Sequence, residues 1–210
     1  VTLTAPTGRA AKRMSQVCKT EAKTIHRLLE AGFHDESDEP EFGIDEDKPI
    51  DSDVIIIDEM SMVDVVLMSS LLRAVKDGTR LIMVGDVNQL PSVGPGNVLK
   101  DIIDSGVVSV IRLTEIFRQA KESMIVVNAH NVNSGVYPQC NVKDKDFFFA
   151  SFSDAHNGFE YIMSLCSTRL THKYGYEPFD IQVLSPSKKG ICGVYNLNSG
   201  LQSVLNPPSD

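Results

Sequence analysis

The chain has 210 residues, of which 42% are hydrophobic and 23% charged, with a formal net charge of −8. That length allows one domain or two small ones, and the composition supports a packed core and excludes wholesale disorder. No apolar run approaches the ~20 residues needed to cross a bilayer. The opening Val1–Arg13 has no apolar leader, and Cys18, Cys140, Cys166 and Cys192 are too far apart for a CxxC zinc site or a disulfide framework. A cytoplasmic protein without a membrane partner is expected.

The charge is uneven. Phe33–Asp53 holds ten acids and one base, so the rest of the chain carries +1. Residues 1–30 hold six bases (Arg9, Lys12, Arg13, Lys19, Lys23, Arg27) and two acids. Local charge decides where a polyanion can sit, so the acidic total does not exclude nucleic acid.

In chain order, Val1–Ala5 reads as the end of a buried strand, and Gly8–Cys18 and Ala22–Ala31 read as helices. The acidic stretch with Pro40, Gly43 and Pro49 reads either as a hairpin turned at Glu41–Gly43 or as a disordered loop, in both cases outside the core. Val54–Ile57, four β-branched aliphatics, predicts a strand covered on both sides. Asp64 is placed to cap a helix over Val65–Val75. Arg80–Val84 predicts a strand, Asn97–Asp104 a short helix closed by Gly106, Val108–Leu113 a strand, and Lys121–Asn133 a helix. Phe147–Ala150 is a short apolar run. Asp154–His172 predicts a helix, Ile181–Leu184 a strand, and Tyr195–Leu205 a helix stopped by Pro207-Pro208. This alternation implies an α/β fold, a parallel sheet with helices on both faces.

Ligands of parallel sheets bind beyond the carboxyl ends of the strands. Asp58 and Glu59 follow the first central strand, and a carboxylate pair there can hold Mg²⁺ and polarise a water. Gln89 follows the next strand and can orient a water or touch a phosphate. Arg118 follows the Val108–Leu113 run and can neutralise a developing phosphoryl charge. Each alone also reads as a solvated turn; together they suit one phosphoryl-transfer site.

Six words in this order resemble the motifs of the RecD-type superfamily 1 DNA helicases, the family of the exodeoxyribonuclease V alpha subunit and its stand-alone relatives. They are TAPTGRAAKR (Thr4–Arg13), TIHRLL (Thr24–Leu29), VIIIDEMSMVD (Val54–Asp64), MVGDVNQLPSVGPGNVL (Met83–Leu99), LTEIFRQA (Leu113–Ala120) and VLSPSKKGICGVYNLN (Val183–Asn198). The resemblance implies a P-loop NTPase-like (RecA-like) fold and ATP-dependent unwinding, 5′ to 3′ along single-stranded DNA, in repair or recombination. It implies that Asp58 binds the Mg²⁺ of MgATP, Glu59 is the general base, Gln89 senses the γ-phosphate and Arg118 is an arginine finger. Thr4, Pro6, Thr7, Arg9 and His26 would lie on the DNA path, with Ser185, Ser187 and Lys188 touching phosphates from the second domain. A solvated helix face is the alternative for Arg9, Lys12 and Arg13, and a capping or core histidine for His26. Forked duplex DNA and other exodeoxyribonuclease V subunits are the implied partners.

The departures from the family pattern also carry expectations. No GxxxxGK[ST] loop occurs in the chain, and the family's late motifs are missing after Asn198. The expected reading is therefore a fragment with two incomplete motor domains. Residues 1–111 would be most of the first, with a hairpin insert near 31–52, and residues 112–210 the start of the second. On its own it is expected to be inactive, or to serve as a catalytically silent binding module. Within the helicases, the motor portion of a conjugative relaxase is the close alternative.

Overall fold

Leu3, Thr4 and Ala5 are all buried, and this run forms β1 (Thr2–Ala5), an interior strand of a four-stranded sheet. The computed structural model describes residues 1–32, 41–113 and 122–207. They divide into two compact units, Val1–Glu115 and Ile116–Asp210.

In the first unit, β1 is flanked by β2 (Ala22–Thr24) and β5 (Val54–Ile57), and β5 by β6 (Arg80–Met83). All three pairings are parallel. Thr4 stands opposite Ile57 and Thr2 opposite Ile55, so these residues share a face. On that face Ile55 and Ile57 join Leu67, Leu71 and Ala74 of α3 (Val65–Ala74) and Val98 and Leu99 of α4 (Val98–Ser105) in the main core. Leu3, Ala5 and Ala11 are buried outside that cluster, where α1 (Gly8–Cys18) packs on β1 and β2. The α/β class with a parallel sheet is therefore observed.

The caps follow local chemistry. The Thr7 hydroxyl accepts from Ala10 N–H at 3.3 Å, and Asp64 Oδ1 accepts from Leu67 N–H at 2.8 Å. Each oxygen satisfies an amide that a helix start leaves without a partner. The expected helix over Ala22–Ala31 is corrected. Its first three residues pair with β1, and Thr24 caps the four-residue α2 (Ile25–Leu28) through Arg27 N–H. The apolar spacing of Ile25, Leu28 and Leu29 marks a real helical turn, but the sheet claims the residues before it.

The acidic insert is partly corrected too. β3 (Ala31–Gly32) and β4 (Glu41–Phe42) pair antiparallel, so a hairpin ladder exists, and Glu41–Gly43 lies on its return arm, not at its turn. Residues 33–40 lie outside the described residues. The segment after β4 is not outside the core. Ile50 is a core residue, Phe42 and Ile44 pack against the core, and Ile50 N–H donates to Ala74 carbonyl at 2.7 Å. Glu46, Asp47, Asp51 and Asp53 are exposed, so acids and apolar anchors of one segment face opposite ways.

Two expected strands are corrected. Neither Val108–Leu113 nor Ile181–Leu184 forms a strand. An apolar run becomes a strand only when a neighbour completes its hydrogen-bond ladder, and none lies beside either run among the described residues. Ile111 is 90% exposed and Leu184 84%.

The second unit is helical among its described residues: α5 (Met124–Asn133), α6 (Ala155–Ser164), α7 (Leu170–Tyr174) and α8 (Val194–Leu205). Asn128 is buried and bridges to Gln139, donating to its carbonyl and accepting from its N–H, both at 2.8 Å. The helix expected over Asp154–His172 is broken by a π-helical turn at Leu165–Arg169. Ser167, Thr168 and Thr171 each donate a hydroxyl to the carbonyl four residues back. Such back-bonds compete with the backbone ladder at this turn.

Two outcomes follow from this packing. Leu71 is fully buried. Leu71→Ala lowers stability by about 2–5 kcal/mol, read as a fall in the urea midpoint. Asp146 accepts from the Ser123 hydroxyl and from the amides of Met124 and Ile125 at the start of α5. The Ser123 hydrogen bond leads in holding its carboxyl below the ordinary value of 3.8. A lowered carboxyl stabilises the fold above its ordinary pKa, and that stabilisation fades as pH falls through the folded value. The thermal midpoints of wild type and Asp146→Asn therefore converge on acidification; a gap independent of pH refutes this role.

Candidate functional site at the carboxyl edge of the sheet

Because the four strands run parallel, their carboxyl ends share one edge. Pro6 and Thr7 follow β1, Ile25 and His26 follow β2, Asp58 and Glu59 follow β5, and Gly85 to Gln89 follow β6. The turn after β5 is laced to both neighbours. Asp58 N–H donates to Thr4 carbonyl at 3.0 Å, Val84 N–H to Ile57 carbonyl at 2.8 Å, and Met60 N–H to Val84 carbonyl at 3.0 Å.

Asp58 and Glu59 are half-buried. Asp58 Oδ1 accepts from Glu59 N–H at 2.9 Å, which leaves Oδ2 for another partner. Glu59 adopts φ 55° and ψ 41°, the left-handed region that non-glycine residues rarely occupy. Gly85 is required by close approach: a Cβ there would lie 2.8 Å from Leu99 Cδ2 and 3.1 Å from Met60 N. Gln89 is exposed on the loop after β6, in a turn where its N–H donates to Asp86 carbonyl and Asp86 Oδ1 accepts from Asn88 N–H. That loop returns to the start of α3, where Val65 N–H donates to Pro95 carbonyl at 3.0 Å. Asp58 and Glu59 thus lie at the end of β5, and Gln89 on the loop that follows the neighbouring β6. Arg118 lies outside the described residues.

Among the residues expected along DNA, Arg9 and His26 are exposed, and Lys12, Arg13, Lys23 and Arg27 add an exposed basic surface on and beside α1. The His26 ring stands 6.3 Å from that of Phe42. Pro6 and Thr7 are half-buried, and the Thr7 oxygen serves as the α1 cap. Thr4 is corrected: it is 0% exposed and its hydroxyl donates to Lys23 carbonyl at 2.9 Å, so it ties β1 to β2 and offers no surface. In the second unit the Ser185 hydroxyl donates to Cys192 carbonyl at 2.8 Å and the Ser187 hydroxyl to Lys189 carbonyl at 3.0 Å. Both hydroxyls build the loop, while Lys188 is exposed.

Sequence reasoning passed over Gly94 and Ser61. A Cβ at Gly94 would fall 2.0 Å from Asp64 Oδ2, so this glycine lets the β6 loop close over the α3 cap. Ser61 is buried and its Oγ has no hydrogen-bond partner. The alternation of β1 would have shown that Thr4 turns to the face opposite Leu3 and Ala5; no sequence signal marks Ser61.

Residues 1–95 match the family model described as an AAA domain. An ATP-dependent RecD2 DNA helicase of Deinococcus radiodurans is 36% identical over 207 residues, 99% of this chain and 27% of that protein. A RecBCD enzyme subunit RecD of Mycobacterium tuberculosis is 38% identical over 120 residues, 50% of this chain and 20% of that protein. The chain thus spans about a quarter or less of these relatives' length. Among solved structures, a Pif1 helicase from Bacteroides in complex with ADP-AlF3 and single-stranded DNA is similar at 23% identity and a TM-score of 0.48, over 84% of this chain and 42% of that one.

The contact between Asp64 and Gly94 is testable by a double-mutant cycle. Asp64→Ala removes a helix cap, a loss of about 0.5–2 kcal/mol. Gly94→Ala destabilises the wild type and costs less in the Asp64→Ala background, because the overlapped carboxylate is gone. Additive losses in chemical denaturation refute the contact.

Proposed function

We infer that this chain is part of a RecD-type superfamily 1 helicase, since it is 36% identical over 99% of its length to an ATP-dependent RecD2 DNA helicase. The protein is an ATP-dependent DNA helicase that moves 5′ to 3′ on single-stranded DNA. Residues 1–111 are part of its first motor domain and residues 112–210 part of its second. The observation that carries this reading is the placement of Asp58 and Glu59 at the carboxyl end of β5, beside the β6 loop that bears Gln89.

Asp58 suits magnesium. It is a hard oxygen donor with Oδ2 free of the bond that engages Oδ1. Among the described residues no group of three or more His, Cys, Asp or Glu is placed to hold a metal by itself. Magnesium is ordinarily bound through one or two carboxylates and the substrate phosphates, not by an all-protein cage. When bound, it would offset the phosphate charge. Glu59, next to it, accepts the proton of the attacking water. Gln89 reads the γ-phosphate from the adjacent strand end. Arg118 supplies positive charge to the transition state, a contribution of roughly 10³–10⁵ in rate in related phosphoryl-transfer enzymes.

The single strand runs past the exposed Arg9, Lys12 and Arg13 of α1 and His26 and Arg27 of α2. Phosphate contacts of this kind give affinity without sequence preference. Lys188, exposed in the second unit, is a further candidate for a phosphate contact. Other exodeoxyribonuclease V subunits are candidate partners, in line with the RecD name of several relatives. No described helix is long and apolar enough to cross a membrane; action in the cytoplasm is part of this reading, in line with the DNA-helicase names of the relatives.

In the whole protein, Glu59→Gln lowers DNA-stimulated phosphate release on the order of 10²–10⁴-fold, the size of a lost general base, and leaves nucleotide affinity unchanged. The 210 residues alone release no phosphate, because they contain no GxxxxGK[ST] loop to hold the β- and γ-phosphates. A Glu59→Gln protein with normal turnover removes Glu59 from the role of base. Turnover by the 210 residues alone would show that the loop is not needed.

A further inference from the structure

Ser61 is used by neither the fold nor the chemistry just described. It sits in the 3₁₀ turn Met60–Met62 directly after Glu59, is 7% exposed, and its Oγ is enclosed without a hydrogen-bond partner. Buried hydroxyls are normally paired, since an unmade bond forfeits the solvation given up on burial. Alanine would sit here without that loss. Two residues earlier, Glu59 holds a left-handed backbone at φ 55°. Its N–H is turned onto the Asp58 carboxylate.

Two unfavourable features therefore share one turn, and the surroundings hold them in place. Met60 and Val63 are buried in the core, Met60 N–H is tied to Val84 carbonyl, and Met62 N–H to Glu59 carbonyl at 3.0 Å. Strain held in this way clusters at active sites and switch regions, where it can serve the mechanism.

We propose that Ser61 is a positioning residue for Glu59. Its hydroxyl is unpaired in the resting turn and gains a hydrogen bond when Glu59 leaves the left-handed conformation to hold the attacking water. The proposal rests on the reading of Glu59 as general base. A group unpaired in one conformation and paired in the other favours the second by that difference. Removing it leaves the resting state no worse and the working state less populated.

The experiment compares wild type, Ser61→Ala and Glu59→Gln in the whole protein. It records the thermal midpoint without nucleotide, nucleotide affinity by titration, and phosphate release with single-stranded DNA. For Ser61→Ala the midpoint is unchanged or raised, the affinity unchanged, and kcat reduced about tenfold, the size of one ordinary hydrogen bond. A lowered midpoint means that the hydroxyl is already bonded at rest, and a normal kcat means that turnover does not use it; either overturns the proposal. If wild type itself releases no phosphate, the ATPase reading falls and the proposal with it. If wild type and Glu59→Gln behave as expected while Ser61→Ala turns over normally, the proposal alone falls.

Discussion

The parallel pairing of β1 with β5, and of β5 with β6, is the constraint from which the site follows. Parallel strands put every carboxyl end on one edge, and the connections that return the chain to the opposite edge are the helices that cover the sheet. Asp58, Glu59 and the Gln89 loop are distant from Thr7 and His26 in sequence, yet all of them leave the sheet on that edge. An antiparallel β5 would keep the same core and send the carboxylates to the far side.

The hydrogen bonds at the strand ends make this edge one mechanical piece. Val84 both donates to Ile57 and accepts from Met60, so the end of β6 grips the turn after β5 on two sides. Gly85 lets Leu99 and Met60 approach where a side chain would intervene, and Gly94 lets the following loop close over the cap of α3. A displacement of the β6 loop therefore reaches Glu59 through backbone contacts, with no intervening flexible side chain. This suits a site in which a residue on one strand end must respond to a phosphate held beside the other.

Much of this was legible in the sequence, for physical reasons that differ by element. Val54–Ile57 could only be an interior strand, because four consecutive β-branched residues need cover on both sides. Asp64 followed by an apolar helical run named its own cap. The strands misread at Val108–Leu113 and Ile181–Leu184 have the same apolar signal, but strand formation depends on a neighbour and the run cannot report one. Ala22–Thr24 merges with the helical pattern after it, because three residues are too few for periodicity to distinguish. The positions of Asp58, Glu59 and Gln89 after strands are legible from the apolar runs that precede them. Thr4 points to DNA only as part of a motif; β1 is an interior strand buried on both faces, and that hides its side chain. Ser61 left no trace in the sequence, since an unpaired hydroxyl is a property of the packed turn alone.

The charge distribution gains its meaning from the anchoring of the acidic insert. Were Phe33–Asp53 a free loop, its −9 would be spread over a wide volume and largely screened beyond the Debye length, about 10 Å at 0.1 M salt. Its described part is instead fixed. Ile50 is locked into the core, Ile44 N–H donates to Leu29 carbonyl, and the Phe42 ring lies beside His26. Lys48 reaches Glu30 at 2.9 Å across an exposed surface, a pair worth little on its own. The described part of the insert is thus held beside α2, through Phe42 against His26 and Lys48 against Glu30. Bases of residues 1–30 can therefore seat a polyanion, while acids fixed on an anchored segment disfavour its extension over the insert.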